Sequence, residues 1–118
     1  MKAIIEVSGK GSVFRTAAAQ VAAARKERTP DSHLSFESAR SLFAELTPAR
    51  LDLLDTLRRV GPCSVHALAK AAERNSSNVH TDVARMEELG LIDRAEGGEI
   101  LVPYESVEIV VPLARAVA

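Results

Sequence analysis

A strong helix-start signal followed by leucines at helical spacing stands near the middle of the chain. Thr47 and Pro48 form the signal, because a hydroxyl can cap free backbone amides and proline at the first helical position loses no hydrogen bond. The helix is expected to end at Val60, since Gly61 and Pro62 follow it. Its predicted core-facing residues are Leu51, Leu54, Leu57 and Val60. The sequence therefore predicts an amphipathic helix with defined ends.

Two further helix signals follow, separated only by a tight polar turn. A serine cap precedes the first of them, which covers residues 65–72. Residues 73–75 form the turn, and the next helix is expected to start near Ser76 or Ser77 and to run to Leu89. At helical spacing, its buried stripe holds Val79, Val83, Met86 and Leu89. The opposite face of this third helix is then exposed to solvent.

Two short β-prone segments surround a Gly-Gly pair after the third helix. The first begins with Leu91 and Ile92, and the second covers residues 100–102. Glycines between such segments are typical of a β-hairpin. Three helices with a tight turn between the second and third, followed by a hairpin, are the element order of a winged helix-turn-helix. The predicted fold class is therefore mainly α with a small β component (α+β).

The first half of the chain predicts a strand-helix extension to this fold. Residues 2–7 are a β-branched run that ends at a glycine-containing turn, and Ser12 is placed to cap an alanine-rich helix over residues 13–27. A brief strand at residues 33–36 and a helix over residues 37–46 follow. We expect residues 1–45 to form the extension, residues 46–103 the winged helix-turn-helix, and residues 104–118 a C-terminal strand and tail.

Several of the outer segments are candidates for dimerisation. Residues 107–113 form a strand-like run whose partner is either the hairpin or the strand at residues 2–7. The helix at residues 13–27 has a thin apolar face of a kind that often packs on another helix or subunit. Because the rest of the predicted fold covers these segments poorly, we expect them to form a homodimer interface.

The composition is that of a globular protein without an overall basic field. Hydrophobic residues make up 47% of the chain, but only 3% of residues are aromatic, which leaves little for stacking on bases. The formal net charge is -1, so any DNA-binding surface must be a local patch. The single cysteine excludes an intramolecular disulfide, and no apolar run is long enough to span a bilayer. We therefore expect a cytoplasmic protein with no membrane partner.

Motifs for catalysis or metal binding are missing from the sequence. The three histidines do not have metal-ligand spacing, and the serines lack the GxSxG context of a nucleophile. The glycines match no phosphate-binding loop. We therefore expect no enzyme activity, no metal and no cofactor.

The ordered motifs resemble those of the MarR-like winged helix-turn-helix regulators, and most nearly a group of small prokaryotic predicted transcriptional regulators, some of them antitoxin-like. The matching pieces are LTPARLDLL in the first helix, SVHALAKA in the second, RNSSNVHTDV at the start of the third, and EELGLI before the hairpin. The resemblance implies a DNA-binding transcriptional regulator. Where a basic residue would be expected, Thr81 has a hydroxyl, and the hairpin tip AEGGE is acidic.

The start of the third helix holds the candidate DNA-contacting residues. In a helix-turn-helix, the N-terminal part of this recognition helix enters the major groove. The candidates for base contacts are Ser76, Ser77, Asn78 and Thr81, and the candidates for phosphate contacts are Lys70, Arg74 and Arg85. The serine that starts the helix either caps it or contacts a base. Asp82 borders the buried stripe and is expected to accept hydrogen bonds from a backbone or arginine group, since phosphates repel a carboxylate.

Two functions of different classes are open at this point. The first is a dimeric regulator that binds a pseudo-palindromic site in double-stranded DNA. The second is a protein-interaction module, such as an antitoxin that binds a toxin-like partner, or a winged helix that no longer binds DNA. The acidic C-terminal half favours the second function, whereas a basic patch around the three phosphate-contact candidates would favour the first.

Overall fold

The computed structural model describes residues 1–8 and 31–113. The chain divides into two compact units, one formed by residues 1–45 with 106–118 and the other by residues 46–105. We call them the sheet unit and the helical unit. The helix predicted over residues 13–27, together with its cap Ser12, lies outside the described residues.

Short strands flank a run of helices in the described part of the chain. In chain order the elements are β1 (Lys2–Val7), β2 (Ser32–Phe36), α1 (Ala39–Glu45), α2 (Pro48–Val60), α3 (Val65–Ala72), α4 (Ser76–Glu88), β3 (Asp93–Arg94), β4 (Ile100–Leu101) and β5 (Ser106–Val110). This set of helices and strands confirms the α+β class. Helices α2 to α4 followed by the β3–β4 hairpin confirm the winged helix-turn-helix. Among the described residues, no helix has both the length and the apolar character needed to cross a bilayer.

The sheet unit contains a three-stranded parallel sheet with β1 in the middle. Ile5 of β1 is in register with Leu34 of β2 and Ile109 of β5, and it is fully buried. Of the two partners left open for the last strand, β1 is the one that pairs with it. Strand β5 ends at Val110, earlier than predicted, and Pro112 just beyond it has no amide hydrogen to donate to a sheet.

Helix α1 begins at Ala39, later than predicted. The Ser41 amide donates to the Ser38 hydroxyl at 3.1 Å, and the Ser38 amide donates to the Ser41 hydroxyl at 3.2 Å. These reciprocal bonds satisfy free amides at the helix start, as in a capping box, and so fix the beginning of the helix after Ser38. Leu42 is fully buried, whereas Phe43 is 51% exposed.

Helix α2 has the predicted ends but a different buried face. The Gly61 amide, in the left-handed region at φ 85°, donates to the Leu57 carbonyl at 2.9 Å and closes the helix. The buried residues are Leu53, Leu54 and Leu57. The prediction of Leu51 as a core residue is wrong, because it lies about 110° from the centre of this face at 3.6 residues per turn. Val60 is also not in the core, since it stands in the last turn and is half exposed.

Helices α3 and α4 complete the core of the helical unit. The Ser64 hydroxyl accepts from the Ala67 amide at 3.0 Å, which confirms the predicted cap of α3. Val79, Val83 and Met86 of α4 are buried, as predicted. Leu89 is the C-cap of α4 and is only half buried, so the buried stripe of this helix ends one turn earlier than predicted.

The hairpin begins later than its sequence pattern suggests. The amides of Leu91 and Ile92 both donate to the Met86 carbonyl, at 2.9 and 3.3 Å, and both side chains are buried. These two residues therefore close the end of α4 instead of forming the first strand of the hairpin, which is β3. Strand β4 has a second neighbour, because Cys63 exchanges backbone hydrogen bonds with Ile100 at 3.2 and 2.8 Å.

Candidate nucleic-acid interface

The recognition helix α4 is capped by Asn75. Its side-chain oxygen accepts from the amides of Ser77 at 2.9 Å and Asn78 at 3.3 Å. The predicted helix start near Ser76 is confirmed, but the N-cap role left open for Ser76 or Ser77 belongs to Asn75. An asparagine at this position satisfies two amides at once, and the helix starts one residue after it. Ser77 does not cap the helix, and it is exposed.

The polar face of α4 lies opposite its buried stripe. Asn78 and Thr81 are exposed together with Ser77, while Ser76 is half buried. The Thr81 hydroxyl donates to the Ser77 carbonyl at 3.2 Å, so its proton is engaged within the helix and its lone pairs remain available as acceptors. Three of the four residues predicted to contact bases thus share one solvent-exposed face in the first two turns of α4.

The three candidate phosphate contacts have different surroundings. Lys70 is exposed in the last turn of α3. Arg85 is 38% exposed along its side chain, and its Nη1 lies 2.8 Å from an oxygen of Glu88. Arg74 is half buried, and its Nη2 lies 2.7 Å from an oxygen of Asp82. Of the three, Lys70 is the most exposed cation, whereas each arginine already faces a carboxylate.

Asp82 accepts hydrogen bonds from two arginines of the helical unit. Arg50 Nε donates to Oδ1 at 3.0 Å, and Arg74 Nη2 donates to Oδ2 at 2.7 Å. Burial alone would raise the pKa of Asp82, but the hydrogen bonds and positive charges of Arg74 and Arg50 outweigh burial and lower this pKa. The expectation that Asp82 is a structural acceptor is confirmed.

Arg50 is a site residue that the sequence reasoning missed. A signal for it was present, because Arg50 precedes Leu53, Leu54 and Leu57 at the spacings that place residues on one helix face. An arginine on the same helix face as buried leucines is partly shielded from water, so an acidic partner is expected for its charge. A leucine pattern that starts at Leu51 instead places Arg50 away from the core, which is why Arg50 was not predicted.

The hairpin beside α4 carries mostly negative charge. Asp93, Glu96 and Glu99 are all exposed. Arg94, the one basic residue of the sequence from Asp93 to Leu101, is paired with Glu87 of α4. The hydrogen bonds and negative charge of Glu87 raise the pKa of Arg94. Burial and the nearby Glu99 raise the pKa of the Cys63 thiol, which favours its protonated form.

These elements define a winged helix-turn-helix unit whose recognition helix presents a polar face to solvent. The chain belongs to the HVO_A0114 family, whose model matches residues 45–109. That match covers the whole helical unit and most of β5. No curated protein matches the chain in sequence. The match does not name the MarR-like regulators, so that narrower resemblance stays a prediction.

One solved structure is similar to the chain over most of its length. It is the solution NMR structure of a homodimeric winged helix-turn-helix DNA-binding domain, residues 1–100 of a possible ArsR-family transcriptional regulator from Mycobacterium bovis. The two chains are 23% identical, the alignment covers 83% of this chain and 77% of that one, and the TM-score is 0.47.

Proposed function

We propose that this protein is a sequence-specific transcriptional regulator that inserts α4 into the major groove of double-stranded DNA. The observation that carries the proposal is the exposed polar face formed by Ser77, Asn78 and Thr81 at the start of α4. In helix-turn-helix proteins this part of the recognition helix contacts base edges. Small polar side chains here allow close approach to the groove floor.

Asn78 is the residue with the greatest capacity to discriminate between bases. Its amide carries a donor and an acceptor, and this pair matches the N6 and N7 edge of adenine. Ser77 and Thr81 contribute hydroxyl contacts, which are less selective because a hydroxyl both donates and accepts. Ser76 is half buried, so we propose a smaller contribution from it.

Phosphate contacts come from the rim of the recognition helix. Lys70 is exposed at the end of α3 and is the strongest candidate. Arg85 contributes if its surface pair with Glu88 yields to a phosphate, an exchange that costs little because exposed ion pairs are weak. Arg74 is held by Asp82.

We further propose that the protein acts as a homodimer. Two recognition helices one helical turn of DNA apart would match a pseudo-palindromic site. Strand β5 at the edge of the sheet and residues 13–27 are the proposed dimerisation material, with residues 46–103 as the DNA-binding part. Strand β1, which was also expected to contribute, is paired on both sides and has no free edge. The exposure of Val110 in β5 and of Val111 directly after it supports a role for this strand in association.

Fluorescence anisotropy with DNA from the region upstream of the protein's own gene tests the proposal. The control is a scrambled duplex of the same length and composition, and both are titrated over a series of salt concentrations. A regulator prefers the native duplex and loses affinity steeply as salt rises, since binding releases counterions from the phosphates. Equal and weak binding to both duplexes would contradict sequence-specific recognition.

The acidic hairpin favours a second candidate function, a protein-interaction module. Exposed carboxylates at Asp93, Glu96 and Glu99 would repel DNA phosphates if the hairpin approached them. In this case the winged helix binds a basic protein surface, such as that of a toxin-like partner, and not a nucleic acid. No binding to either duplex at low salt would favour this function, and pull-down with the purified chain as bait would then identify the partner.

A further inference from the structure

We infer that Arg74 is a positioning residue, which acts through Asp82 to fix the recognition helix, and that it is not a phosphate contact. The inference rests on the proposed DNA-binding function and assigns roles within that site. It concerns the cluster formed by Arg50, Asp82 and Arg74, which we call the Asp82 cluster.

The Asp82 cluster joins three separate parts of the helical unit. Arg50 lies in the first turn of α2, Arg74 lies in the turn between α3 and α4, and Asp82 lies in the second turn of α4. Each carboxylate oxygen serves one arginine, at 3.0 Å for Arg50 and 2.7 Å for Arg74. Hydrogen bonds between charged groups are directional and strong, so one side chain of α4 is held from two directions.

The cluster is shielded from solvent more than the other ion pairs around α4. The side chains of Arg50, Asp82 and Arg74 are 17%, 15% and 29% exposed. By contrast, Glu88 in the Arg85 pair is 67% exposed. Water and salt screen a shielded pair less than an exposed one, so its geometry is maintained over a wider range of conditions.

Arg74 is anchored at both its backbone and its side chain. Its amide donates to the Ala69 carbonyl at 3.0 Å, which ties the turn to the end of α3. Its Nη1 is buried and has no hydrogen-bond partner among the described residues. Nη2 is thus bound to Asp82 and Nη1 is buried, so a phosphate contact through either nitrogen would require the guanidinium to rearrange. Lys70, which is exposed on α3, needs no such rearrangement.

The apolar contacts of α4 determine which of its faces is buried, but they do not fix its rotation to the precision that base contacts require. Val79, Val83 and Met86 bury one stripe, and hydrophobic contacts of this kind are not directional. The two hydrogen bonds to Asp82 are directional, so they fix the remaining rotation and with it where Ser77, Asn78 and Thr81 point. The Asp82 cluster thus determines the orientation of the face that reads DNA.

The test is DNA binding by the full chain and four variants, Arg74→Ala, Arg74→Lys, Asp82→Asn and Lys70→Ala, over a salt series. A residue that contacts one phosphate changes the slope of log affinity against log salt by about 0.9 when it is removed. We expect that change for Lys70→Ala alone. For both Arg74 variants and for Asp82→Asn we expect DNA affinity at fixed salt to fall by roughly tenfold or more, which is comparable to the loss of a base contact. The slope should not change in these variants.

Asp82→Asn distinguishes a positioning role of Asp82 from a purely electrostatic effect, because the two predict opposite changes in DNA affinity. Removing a negative charge near DNA tightens binding if only electrostatics matter, whereas a positioning role weakens it. Tighter binding by Asp82→Asn, or a shallower slope for Arg74→Ala with affinity retained in Arg74→Lys, would overturn the inference.

A readout on the free protein keeps the inference testable without DNA. We expect Asp82→Asn and Arg74→Lys to shift the amide NMR signals of Ser77, Asn78 and Thr81, while Lys70→Ala leaves them in place. Unshifted signals in the two cluster variants would contradict the positioning role even if their affinity falls. If the parent chain binds no DNA, the proposed function fails, and these NMR shifts still decide whether the cluster orients α4.

Discussion

Arg94 of the hairpin binds both carboxylate oxygens of Glu87 on α4, through its Nε at 3.3 Å and its Nη2. Its Nη1 donates to the Gly98 carbonyl at 3.0 Å, so the same guanidinium also holds the hairpin tip. One side chain thus connects the recognition helix to the turn of the hairpin. Because Arg94 is paired with Glu87, its charge is partly neutralised within the helical unit.

Replacing Arg94 with alanine is expected to loosen the hairpin without unfolding the helical unit. The amides of residues 95–99 should exchange with deuterium faster, because the tip loses the bond to the Gly98 carbonyl. Arg59→Ala is the control, since Arg59 makes an exposed pair with Asp55 within α2. Hydrogen exchange measured by NMR or mass spectrometry checks this. Equal exchange of residues 95–99 in both variants would show that Arg94 does not hold the tip.

Asn75→Ala should lower the free energy of unfolding by about 1 kcal/mol, because the amides of Ser77 and Asn78 lose their cap. Asn75→Asp should retain most of the stability, since aspartate is also a good N-cap. Ser76→Ala is the matched control and should change stability little. Urea denaturation followed by circular dichroism measures all three. A larger loss of stability for Ser76→Ala than for Asn75→Ala would indicate that Ser76 is the N-cap.

Asn78→Ala is expected to relax base preference at one position of the binding site. The amide side chain supplies a bidentate contact that alanine cannot make, at a cost of about 1–3 kcal/mol for the preferred base pair. Lys70→Ala should instead weaken binding to all duplexes alike. Anisotropy on a set of duplexes with single base changes distinguishes the two outcomes. A uniform loss for Asn78→Ala would remove it from the base-reading residues.

Asp82 should make stability depend on pH in the acid range. Its folded-state pKa is lowered by Arg74 and Arg50, so its stabilising contribution is fully present above its ordinary value of about 3.9. The contribution is lost as pH falls below that value and through the lowered pKa. We therefore expect Asp82→Asn to be less stable than the parent at pH 7, with a difference that shrinks below about pH 4. Urea unfolding at pH 7, 5 and 3 checks this, and a constant difference would contradict it.

Val110→Lys is expected to shift the protein from dimer to monomer if β5 contributes to association. Val110 is 46% exposed on β5, and a charge there disfavours burial against a second copy. Val60→Lys is a matched control, because Val60 is 50% exposed but lies in the helical unit. Light scattering coupled to size exclusion gives the mass of each variant. If both variants remain dimers, the interface lies elsewhere.

Helix positions could be predicted closely from sequence, whereas the Asp82 cluster could not be predicted in full. Thr47, Ser64 and Gly61 act on backbone groups within four residues, so local pattern is sufficient for them. The cap of α4 could not be assigned from sequence because Asn75, Ser76 and Ser77 are all acceptable N-caps. Which of them acts as the N-cap depends on the backbone geometry of the turn between α3 and α4, and the sequence pattern does not specify that geometry.

By itself, the sequence determined three helices with a hairpin after them and the polar face of α4, because helical periodicity and end signals are local properties. Only the tertiary structure decided that β5 pairs in parallel with β1, and that Arg50 and Arg74 converge on Asp82. The β1–β5 pairing and the Arg50–Asp82 bond join residues far apart along the chain, and the Arg74–Asp82 bond joins a turn to a helix. A strand's pattern shows which face is apolar but does not specify its partner, and an arginine's position does not specify its acid. Contacts of this kind form only when the helices and strands within each unit pack.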